Sequence, residues 1–491
     1  MVGSLPQAAW DAARRFTPAW YRRRLNWPAD IASTIARLAA GCELAWLDSA
    51  AHGDGWSLVA FDPLARLECD RSGRATLSAA DRWQTTGTGW DFLSRMLRQL
   101  PRWPAAPLGL APGWVGYFAF ETAGLLERLP APRGEPPCDL PLIRLALFDS
   151  VVALDHHRRE AWLLCALGLR EAMGLVPVTP EDVARRWQAA AGTVGRVGSA
   201  PRLSWRPATR REHYLAAVRR ALEYIAAGDI YQVNIAQRFD APPPADPLAL
   251  YAALRRANPA PYGALLRFDT RGVLSLSPEL MLRKTGCEVL TSPIKGTRPR
   301  SGDPRRDAAL REELLRSSKD RAELTMIVDL HRNDLGRVCR PGTVRVAAPR
   351  RVEAHPTVWH TVADVTGTLR DGCDALDLLA ACLPAGSISG VPKLRAIEII
   401  NELEPGPRGV YTGAVGLLSL DGDLRLNVAI RTLQYDRRRA CMFAGGGIVA
   451  DSDPQLEYAE TLDKAAALGR VHLRPRERGG AVQLARRGAV R

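Results

Sequence analysis

Residues 411–446 contain three consecutive strand-like segments, YTGAVGLLSL (411–420), DLRLNVAIRTLQY (423–435) and ACMFAGG (440–446). Short turns at residues 421–422 and 436–439 separate these segments, and turns of this length join antiparallel neighbours. A helix is predicted directly afterwards, from about Leu456 to Leu468. Strands and helices that come in separate blocks are typical of an α+β fold rather than of a doubly wound parallel sheet.

The chain upstream of these strands continues the same pattern of blocks. Residues 213–229, HYLAAVRRALEYIAAGD, have apolar side chains at helical spacing and predict a helix. Strands are predicted within residues 273–297, around a turn at 285–286. One long helix is predicted from about Asp307 to Leu330, and a shorter one from about Ile397 to Leu403.

The first half of the chain is rich in predicted strands, such as GWSLVAFDP (55–63) and GWVGYFAFE (113–121). Residues 189–202 are rich in Gly, Ala, Ser and Pro and form the best candidate for a domain boundary. Three regions are therefore expected: an N-terminal region over 1–195, a region with the candidate chemistry over 205–470, and an arginine-rich tail over 471–491.

Length, composition and charge exclude several classes of protein. The 491 residues contain no run of about 18 apolar residues, so no membrane span is expected, and the N-terminus lacks the apolar core of a secretory signal. The nine cysteines follow no C-x-x-C or zinc-like spacing, which is typical of reduced thiols in the cytoplasm. The net charge of +14 makes nucleic-acid binding an alternative, but the basic residues are not clustered with aromatic ones, so we expect no nucleic acid.

Lysine is rare in this chain. Five of the 67 basic residues are lysines, which leaves 67 − 5 = 62 arginines. A buried lysine can lose its proton and act as a nucleophile, whereas arginine stays charged. The positions of the lysines therefore indicate which part of the chain is catalytic. The alternative is that these few lysines have been retained by chance. They are Lys284, Lys295, Lys319, Lys393 and Lys464.

Two predicted helices carry acidic residues three positions apart. Asp320 and Glu323 lie in KDRAEL, and Glu457 and Glu460 lie in LEYAETLDK. Residues at this spacing share one helical face. If the two faces converge, the four carboxylates need a cation, and oxygen ligands of this kind suit Mg²⁺. A solvated helix face is the alternative for either pair alone.

Three further positions are candidates for chemistry. Lys295, in SPIKGTRPR, is either a surface cation or a desolvated nucleophile. Glu279, in LSPEL, is expected on the neighbouring strand and is either a proton donor or an ordinary strand-end carboxylate. Arg431 is expected on the polar face of a strand, together with Asn427. The glycine run 445–447 either offers backbone amides to an anion or forms a tight bend.

These segments together resemble the chorismate-utilising family, which includes anthranilate synthase component I, aminodeoxychorismate synthase component I, and isochorismate and salicylate synthases. The N-terminal half resembles the family more loosely, through WLDSA, LVAFDP and GWVGYFAFE. The resemblance implies an anthranilate synthase component I-like fold, an antiparallel β-sandwich flanked by helices, to which both halves contribute. The segments that carry it are GDIYQVNIAQRF (228–239), SPELMLR (277–283), PIKGTRPR (293–300), SSKDRAELTMIVDLHRNDLGRV (317–338), HTVADVTG (360–367), AGSISGVPKLRAIEII (385–400), YTGAVG (411–416), NVAIRT (427–432) and AGGGIVADSDPQLEYAETLDKA (444–465).

The resemblance also implies roles for individual residues. Lys295 would be the nucleophile and Glu279 the proton donor. Mg²⁺ would be held by Glu323 and Glu460, with Asp320 and Glu457 in support. The residues implied to surround the substrate, chorismate, are Gln232, Thr297, His360, Tyr411, Arg431, Gly445, Gly446, Gly447 and Lys464.

Two positions distinguish members of the family. Anthranilate synthases are expected to have alanine where this chain has Lys295, whereas the aminodeoxychorismate enzymes have PIKGT. Isochorismate and salicylate synthases use a lysine base at the position of Gln232, and a glutamine cannot deprotonate water. The sequence therefore favours amination of chorismate to 4-amino-4-deoxychorismate, on the route to 4-aminobenzoate and folate. Anthranilate formation is the alternative, and the intact set of four acids argues against a silent regulatory relative.

Two partners are implied in addition to chorismate. Ammonia would come from a separate glutamine amidotransferase subunit, because no cysteine here lies in a G-x-C-x-G-type elbow. Some family members bind tryptophan between segments that correspond to residues 47–49 and 258–262. The first of these is Leu-Asp-Ser, which departs from the L-L-E-S form of tryptophan-inhibited anthranilate synthases. This departure argues against inhibition and leaves a structural tryptophan as an alternative.

Overall fold

The computed structural model describes residues 17–49, 55–79, 83–101, 103–192, 197–198, 203–466 and 468–471. All but the first residue of the predicted tail, the first 16 residues of the predicted N-terminal region and part of the predicted boundary lie outside the described residues. Within the described ranges, no helix is long and apolar enough to cross a membrane.

The described residues form twelve α-helices and 25 strands, with 3₁₀ turns at Pro107–Gly109, Phe120–Thr122 and Gly386–Ile388. The helices are α1 Ile31–Leu38, α2 Gly89–Arg98, α3 Ala123–Leu126, α4 Leu169–Ala172, α5 Pro180–Ala191, α6 Arg211–Ala226, α7 Pro247–Ala257, α8 Pro304–Arg316, α9 Ser318–Gly336, α10 Ala375–Cys382, α11 Lys393–Leu403 and α12 Pro454–Ala466. The strands are β1 Ala19–Leu25, β2 Leu44–Asp48, β3 Trp56–Phe61, β4 Ala65–Cys69, β5 Arg74–Ala79, β6 Trp83–Thr88, β7 Gly113–Phe118, β8 Ile143–Leu147, β9 Ser150–Asp155, β10 Glu160–Leu167, β11 Ser204–Pro207, β12 Gln232–Ala241, β13 Tyr262–Phe268, β14 Arg271–Ser277, β15 Leu280–Thr285, β16 Glu288–Ser292, β17 Ile294–Pro299, β18 Arg345–Ala354, β19 Val358–Thr368, β20 Gly390–Val391, β21 Ala414–Ser419, β22 Leu424–Val428, β23 Thr432–Tyr435, β24 Ala440–Ile448 and β25 Arg470–Val471.

Two large sheets contain these strands. The first sheet has the order β1-β10-β9-β3-β2-β13-β14-β23-β24-β12-β11-β25, and β20 also pairs with β12. The second sheet has the order β17-β19-β16-β15-β22-β21-β7-β8-β4-β5-β6, and β18 also pairs with β19. Among the described strands, all pairs are antiparallel except β11 with β25. The predicted α+β class is confirmed.

Both halves of the chain contribute to both sheets. In the first sheet β2 pairs with β13, and in the second β7 pairs with β21. Apolar side chains from the two sheets pack in a shared core; for example, the ring of Tyr117 on β7 lies 6.3 Å from that of Phe268 on β13. The N-terminal strands therefore extend and close the same sandwich that carries the candidate site.

The predicted long helix over 307–330 is wrong in one respect, because it is two helices, α8 and α9. Ser317 separates them with an extended ψ of 111°, and its side chain accepts a hydrogen bond from the Asp320 amide at 3.1 Å. A serine that caps a helix three residues before an acid is a common start signal. The break lets α9 take its own direction, with Asp320 in its first turn.

The predicted single strand over 423–435 is also wrong. It is two strands in different sheets, since β22 pairs with β15 and β21 whereas β23 pairs with β14 and β24. Residues 429–431 cross between the sheets, and Arg431 adopts a left-handed φ of 50°. Arg431 therefore does not lie on the polar face of a continuous strand; the crossover sets its position.

A buried arginine ties the elements beneath the candidate site. The Arg408 guanidinium donates to both carboxylate oxygens of Glu404, at 2.6 and 2.9 Å. It also donates to the carbonyl of Asn234 on β12, to the carbonyl of Ile388 and to the Thr412 hydroxyl. A fully hydrogen-bonded buried ion pair fixes geometry, and losing one partner leaves the other charge uncompensated.

We expect Arg408→Ala to lower the free energy of unfolding by about 3–5 kcal/mol, because it leaves Glu404 buried without its counter-ion. Urea unfolding followed by circular dichroism measures the change. Arg437→Ala is the matched control, since Arg437 pairs with Asp269 at an exposed site and should change the free energy by no more than about 0.5 kcal/mol. Equal effects of the two substitutions would contradict a structural role for the buried pair.

Candidate active site

Lys295 lies at an irregularity in the second sheet. β17 pairs with β19, but the register shifts between residues 294 and 297, and Gly296 has a φ of 81°. A Cβ on Gly296 would lie 3.0 Å from the Asp320 Cγ and 3.0 Å from the Thr361 Oγ1. The bulge and the bare glycine thus let α9 and β19 approach the Lys295 backbone closely.

The Lys295 side chain is half-buried and lies in an acidic environment. Burial lowers the pKa of Lys295 from its usual 10.5. The charges of Glu323, Glu279 and Glu460 act in the opposite direction and raise it, but burial has the larger effect. Within the described part of the chain, the amine forms no ion pair and no hydrogen bond. A buried amine without a paired counter-charge favours the neutral form, which is the nucleophilic one.

Glu279 is buried and lies directly before β15, not within a strand as predicted. Its Oε1 accepts a hydrogen bond from the Ser387 hydroxyl at 2.5 Å. Burial raises the pKa of Glu279 to about 7, although the Ser387 hydroxyl, Lys295 and the Ile294 amide all favour the charged form. A carboxyl group with a pKa near neutrality can donate a proton at physiological pH.

The glycine run lies inside β24 and does not form a tight bend. β23 pairs with β24 only as far as Met442, so Gly445–Gly447 pair with β12 alone. Opposite Gly445 and Gly447, the amides of Ala236 and Asn234 donate away from β24. In an antiparallel ladder, the amides of two directly opposed residues either both point toward the partner strand or both point away from it. The amides of Gly445 and Gly447 therefore point away from β12, toward the open edge of β24.

The missing side chains of the glycine run make room for candidate residues. A Cβ on Gly447 would lie 2.7 Å from Gln232 Nε2 and 3.3 Å from Lys295 Nζ. A Cβ on Gly446 would lie 2.6 Å from Glu457 Oε2. The β24 backbone therefore forms a wall of the site against Gln232 and Lys295, whereas Glu457 lies at its opposite face, because neighbouring strand residues point to opposite faces.

The two acidic helices lie close enough for their acids to interact, which the sequence alone could not show. The charge of Glu460 on α12 raises the pKa of Glu323 on α9, in addition to the larger effect of burial. Burial and Glu460 also raise the pKa of Glu457. Lys464 forms an ion pair with Glu460 at 2.7 Å and donates to the Gly445 carbonyl at 2.9 Å. The helix that carries two of the acids is thereby tied to the glycine strand.

The acids fit a magnesium ion only in part. Among the described residues, no three His, Cys, Asp or Glu side chains lie close enough together to hold a metal ion by themselves. Asp320 is engaged by Arg298 at 3.3 Å, and Glu457 accepts from the Ser452 hydroxyl at 2.8 Å. Glu460 pairs with Lys464, which leaves Glu323 as the acid of the four that has no hydrogen-bond or ion-pair partner among the described residues. One or two carboxylates completed by water and substrate oxygens is a common way to bind Mg²⁺.

His360, Arg431 and Tyr411 border the site. Burial and, to a smaller extent, the nearby charge of Arg431 lower the pKa of His360 to about 3, so the imidazole is neutral. Its Nδ1 lies 2.9 Å from the Thr297 hydroxyl, while its Nε2 has no hydrogen-bond partner in the described residues. Tyr411 is buried against Phe443, with ring centroids 5.2 Å apart, and burial raises its pKa to about 12.

Two polar side chains in this region have unused hydrogen-bonding groups that a ligand could satisfy. Gln232 is fully buried, and neither its Oε1 nor its Nε2 has a partner among the described residues. The Arg431 guanidinium likewise forms no ion pair within the described ranges. Buried polar groups are nearly always satisfied, so such groups beside a cleft indicate that a polar ligand completes them.

Four functional neighbours were missed from the sequence. Ser387 bonds Glu279, Arg298 holds Asp320, and Ser452 holds Glu457. The charge of Lys319, one turn before Glu323, lowers the pKa of Glu323. The scarcity of lysine was a usable signal for Lys319; the other three are ordinary residue types whose partners lie far away in the chain.

The two segments considered for tryptophan do meet. Leu47, Asp48 and Ser49 line one cavity, of about 80 Å³, together with Pro261 and Tyr262. Arg255 donates to both carboxylate oxygens of Asp48, at 2.5 and 3.1 Å. Tryptophan binding in this cavity stays a prediction.

The fold and the convergent site define a class of protein, the chorismate-binding enzymes. The sequence pattern of that family matches residues 44–470, and the chain belongs to it. A crystal structure of anthranilate synthase component I from Streptococcus pneumoniae shares the fold, with a TM-score of 0.75 and 29% identity over 84% of this chain and 92% of that one.

Relatives of two kinds are similar to this chain. Aminodeoxychorismate synthase component 1 of Klebsiella aerogenes is 41% identical over 72% of this chain and 75% of its own length. Anthranilate synthase component 1 of Thermus thermophilus is 43% identical over 76% of this chain and 80% of its own. The family is therefore established, and overall identity does not distinguish its two aminating members.

We expect Gly447→Ala to lower kcat/KM for chorismate by about tenfold or more, because the added methyl group displaces Gln232 and Lys295 from the wall of the site. Chorismate consumption with magnesium and an ammonium salt measures the effect. Gly302→Ala is the control, since a Cβ there meets no atom within 4 Å. Full activity of Gly447→Ala would show that close approach to β24 is unimportant.

Proposed function

We propose that this chain aminates chorismate at C4, which is the reaction of aminodeoxychorismate synthase component 1. The proposal rests above all on Lys295, a half-buried lysine beside Glu279 and two acidic helices, with no ion-pair partner among the described residues. An alanine at this position would leave only ammonia or water to attack the ring. A lysine supplies a nucleophile that is part of the protein.

The first step joins Lys295 to the substrate. The neutral amine attacks C2 of chorismate, and the ring double bonds shift toward C4. The C4 hydroxyl leaves as water with the proton that Glu279 donates, so the N–C2 bond forms as the C4–O bond breaks. Arg431 and the amides of Gly445 and Gly447 face the cleft as donors for the substrate carboxylates.

The second step releases Lys295 from the substrate. Ammonia attacks C4, the double bonds shift back, and the C2–N bond to Lys295 breaks. The Glu279 carboxylate takes up one proton from the attacking nitrogen, which returns both side chains to their starting states. The sum is chorismate plus ammonia giving 4-amino-4-deoxychorismate plus water.

We also propose that the site uses Mg²⁺, held by Glu323 and Glu460. When bound, the ion would neutralise their charges and orient a substrate carboxylate. The burial that raises the pKa of Glu323 supports this proposal, since a carboxylate removed from water gains from a bound cation. Asp320 and Glu457 would be supporting acids that do not bind the ion directly, because Arg298 donates to Asp320 and Ser452 donates to Glu457.

Ammonia is proposed to come from a separate glutamine amidotransferase subunit, and the product to serve 4-aminobenzoate and folate synthesis. Anthranilate synthesis is the second candidate function. It is favoured by one observation, the 43% identity to the Thermus thermophilus enzyme. The two functions differ in the product and in the need for Lys295.

Product analysis separates the two functions. With chorismate, Mg²⁺ and an ammonium salt, we expect a product that becomes 4-aminobenzoate only after an aminodeoxychorismate lyase is added. Liquid chromatography with mass spectrometry identifies the compounds. Anthranilate formed without the lyase would overturn the proposal.

The same assay tests the nucleophile. Lys295→Ala should lower kcat about 100-fold or more, because covalent catalysis is lost. Lys284→Ala is the matched control, since Lys284 binds the Gly422 carbonyl at 2.7 Å and takes no part in the proposed chemistry. If Lys295→Ala forms product at the rate of the unaltered protein, the amine has no covalent role.

Metal dependence forms a separate prediction. Glu460→Gln should raise the Mg²⁺ concentration for half-maximal activity about tenfold or more, and should weaken Mg²⁺ binding in calorimetry to the same extent. Glu312→Gln, which removes an exposed carboxylate on α8, should change neither value. Activity that survives a chelator would contradict the proposed ion.

A further inference from the structure

Ser387 lies in the 3₁₀ turn Gly386–Ile388, between α10 and β20, more than 100 positions away from Glu279. Its hydroxyl lies 2.5 Å from Glu279 Oε1, and both side chains are buried. Nothing in the proposed reaction uses Ser387. The contact nevertheless involves the carboxyl group from which a proton has to leave.

The turn is held firmly on several sides. A Cβ on Gly386 would lie 2.6 Å from Leu330 Cδ2, so α9 packs against the bare glycine. The Ile388 carbonyl accepts from Arg408, and the Ser389 carbonyl accepts from the Asn234 amide at 2.8 Å. These contacts fix the Ser387 hydroxyl before any substrate binds.

A protonated carboxyl group has one oxygen that carries the proton and one that only accepts. If Ser387 donates to Oε1, then Oε1 is the accepting oxygen and the proton resides on Oε2. Without this donor, a main group that distinguishes the two oxygens is lost, and the proton is less firmly held on the oxygen that faces the leaving group.

We propose that Ser387 is a positioning residue that fixes the acidic proton on Oε2 of Glu279. The inference rests on the proposed role of Glu279 as proton donor. Ser387 does not touch the reacting atoms in this account. It acts by choosing which carboxyl oxygen delivers the proton to the departing hydroxyl.

The hydroxyl also adjusts the strength of the acid. Burial raises the pKa of Glu279, and three groups oppose this effect, namely Ser387, the Lys295 charge and the Ile294 amide. Among the described residues, Lys295 is the charged group whose field acts on Glu279. Removing the Ser387 hydroxyl should therefore raise the pKa of Glu279 and make it a weaker acid.

Infrared difference spectroscopy of the full chain, recorded against pH without substrate, tests the proposal. The C=O stretch of the protonated Glu279 is assigned as the band that Glu279→Gln removes. In Ser387→Ala we expect this band at higher wavenumber, because its oxygen has lost a donor. We also expect its midpoint to rise by about one pH unit.

Size-matched variants guard against misfolding. Ser387→Thr keeps the hydroxyl and should restore both the band position and the midpoint, whereas Ser387→Val should behave like the alanine variant. Ser389→Ala is the neighbouring control, because its hydroxyl donates to the Ala385 carbonyl at 3.0 Å and not to Glu279. It should leave the band unchanged.

A band that stays in place in both Ser387→Ala and Ser387→Val would overturn the proposal, since Oε1 would then not be the accepting oxygen. This readout needs neither substrate nor turnover, so it is separate from the proposed function. Full activity of Glu279→Gln would instead refute the proton donor itself. In turnover, Ser387→Ala should lower kcat about tenfold with little change in KM for chorismate.

Discussion

The proposed chemistry depends on one half-buried lysine that forms no ion pair or hydrogen bond among the described residues. An ammonium ion taken out of water is costly unless an opposite charge pairs with it. Lys295 has acids nearby but no direct ion pair among the described residues, and burial lowers its pKa. The same burial raises the pKa of Glu279. The same environment therefore shifts the amine toward its nucleophilic form and the carboxyl group toward its acidic form.

The fold sustains this arrangement by irregularities rather than by regular structure. The register shift in β17 opens the sheet at Lys295, and the glycine run in β24 removes the side chains that would fill the space. The crossing from β22 to β23 sets the position of Arg431. The break at Ser317 lets α9 present its acids to α12. Each irregularity makes room for, or positions, at least one candidate residue.

Many of the candidate residues could be named from the sequence, because residue spacing and residue rarity can be read within short stretches of the chain. The i, i+3 spacing placed Asp320 with Glu323 and Glu457 with Glu460 on single helical faces, and rarity singled out the lysines. The sheet change near Arg431 was not predictable, because alternation looks the same whether a strand continues or changes partners. Ser387 was missed for a similar reason, since its contact with Glu279 joins residues 108 positions apart. Pairings of this kind arise from topology, which no window of sequence contains.

The most direct test is the titration of Lys295 itself. With only five lysines, a protein labelled with ¹³Cε-lysine gives five resolvable NMR signals, and Lys295→Ala assigns the one that matters. We predict that the Lys295 signal titrates below the 10.5 usual for lysine. If it titrates at or above that value, burial does not favour the neutral amine and the proposed nucleophile is lost.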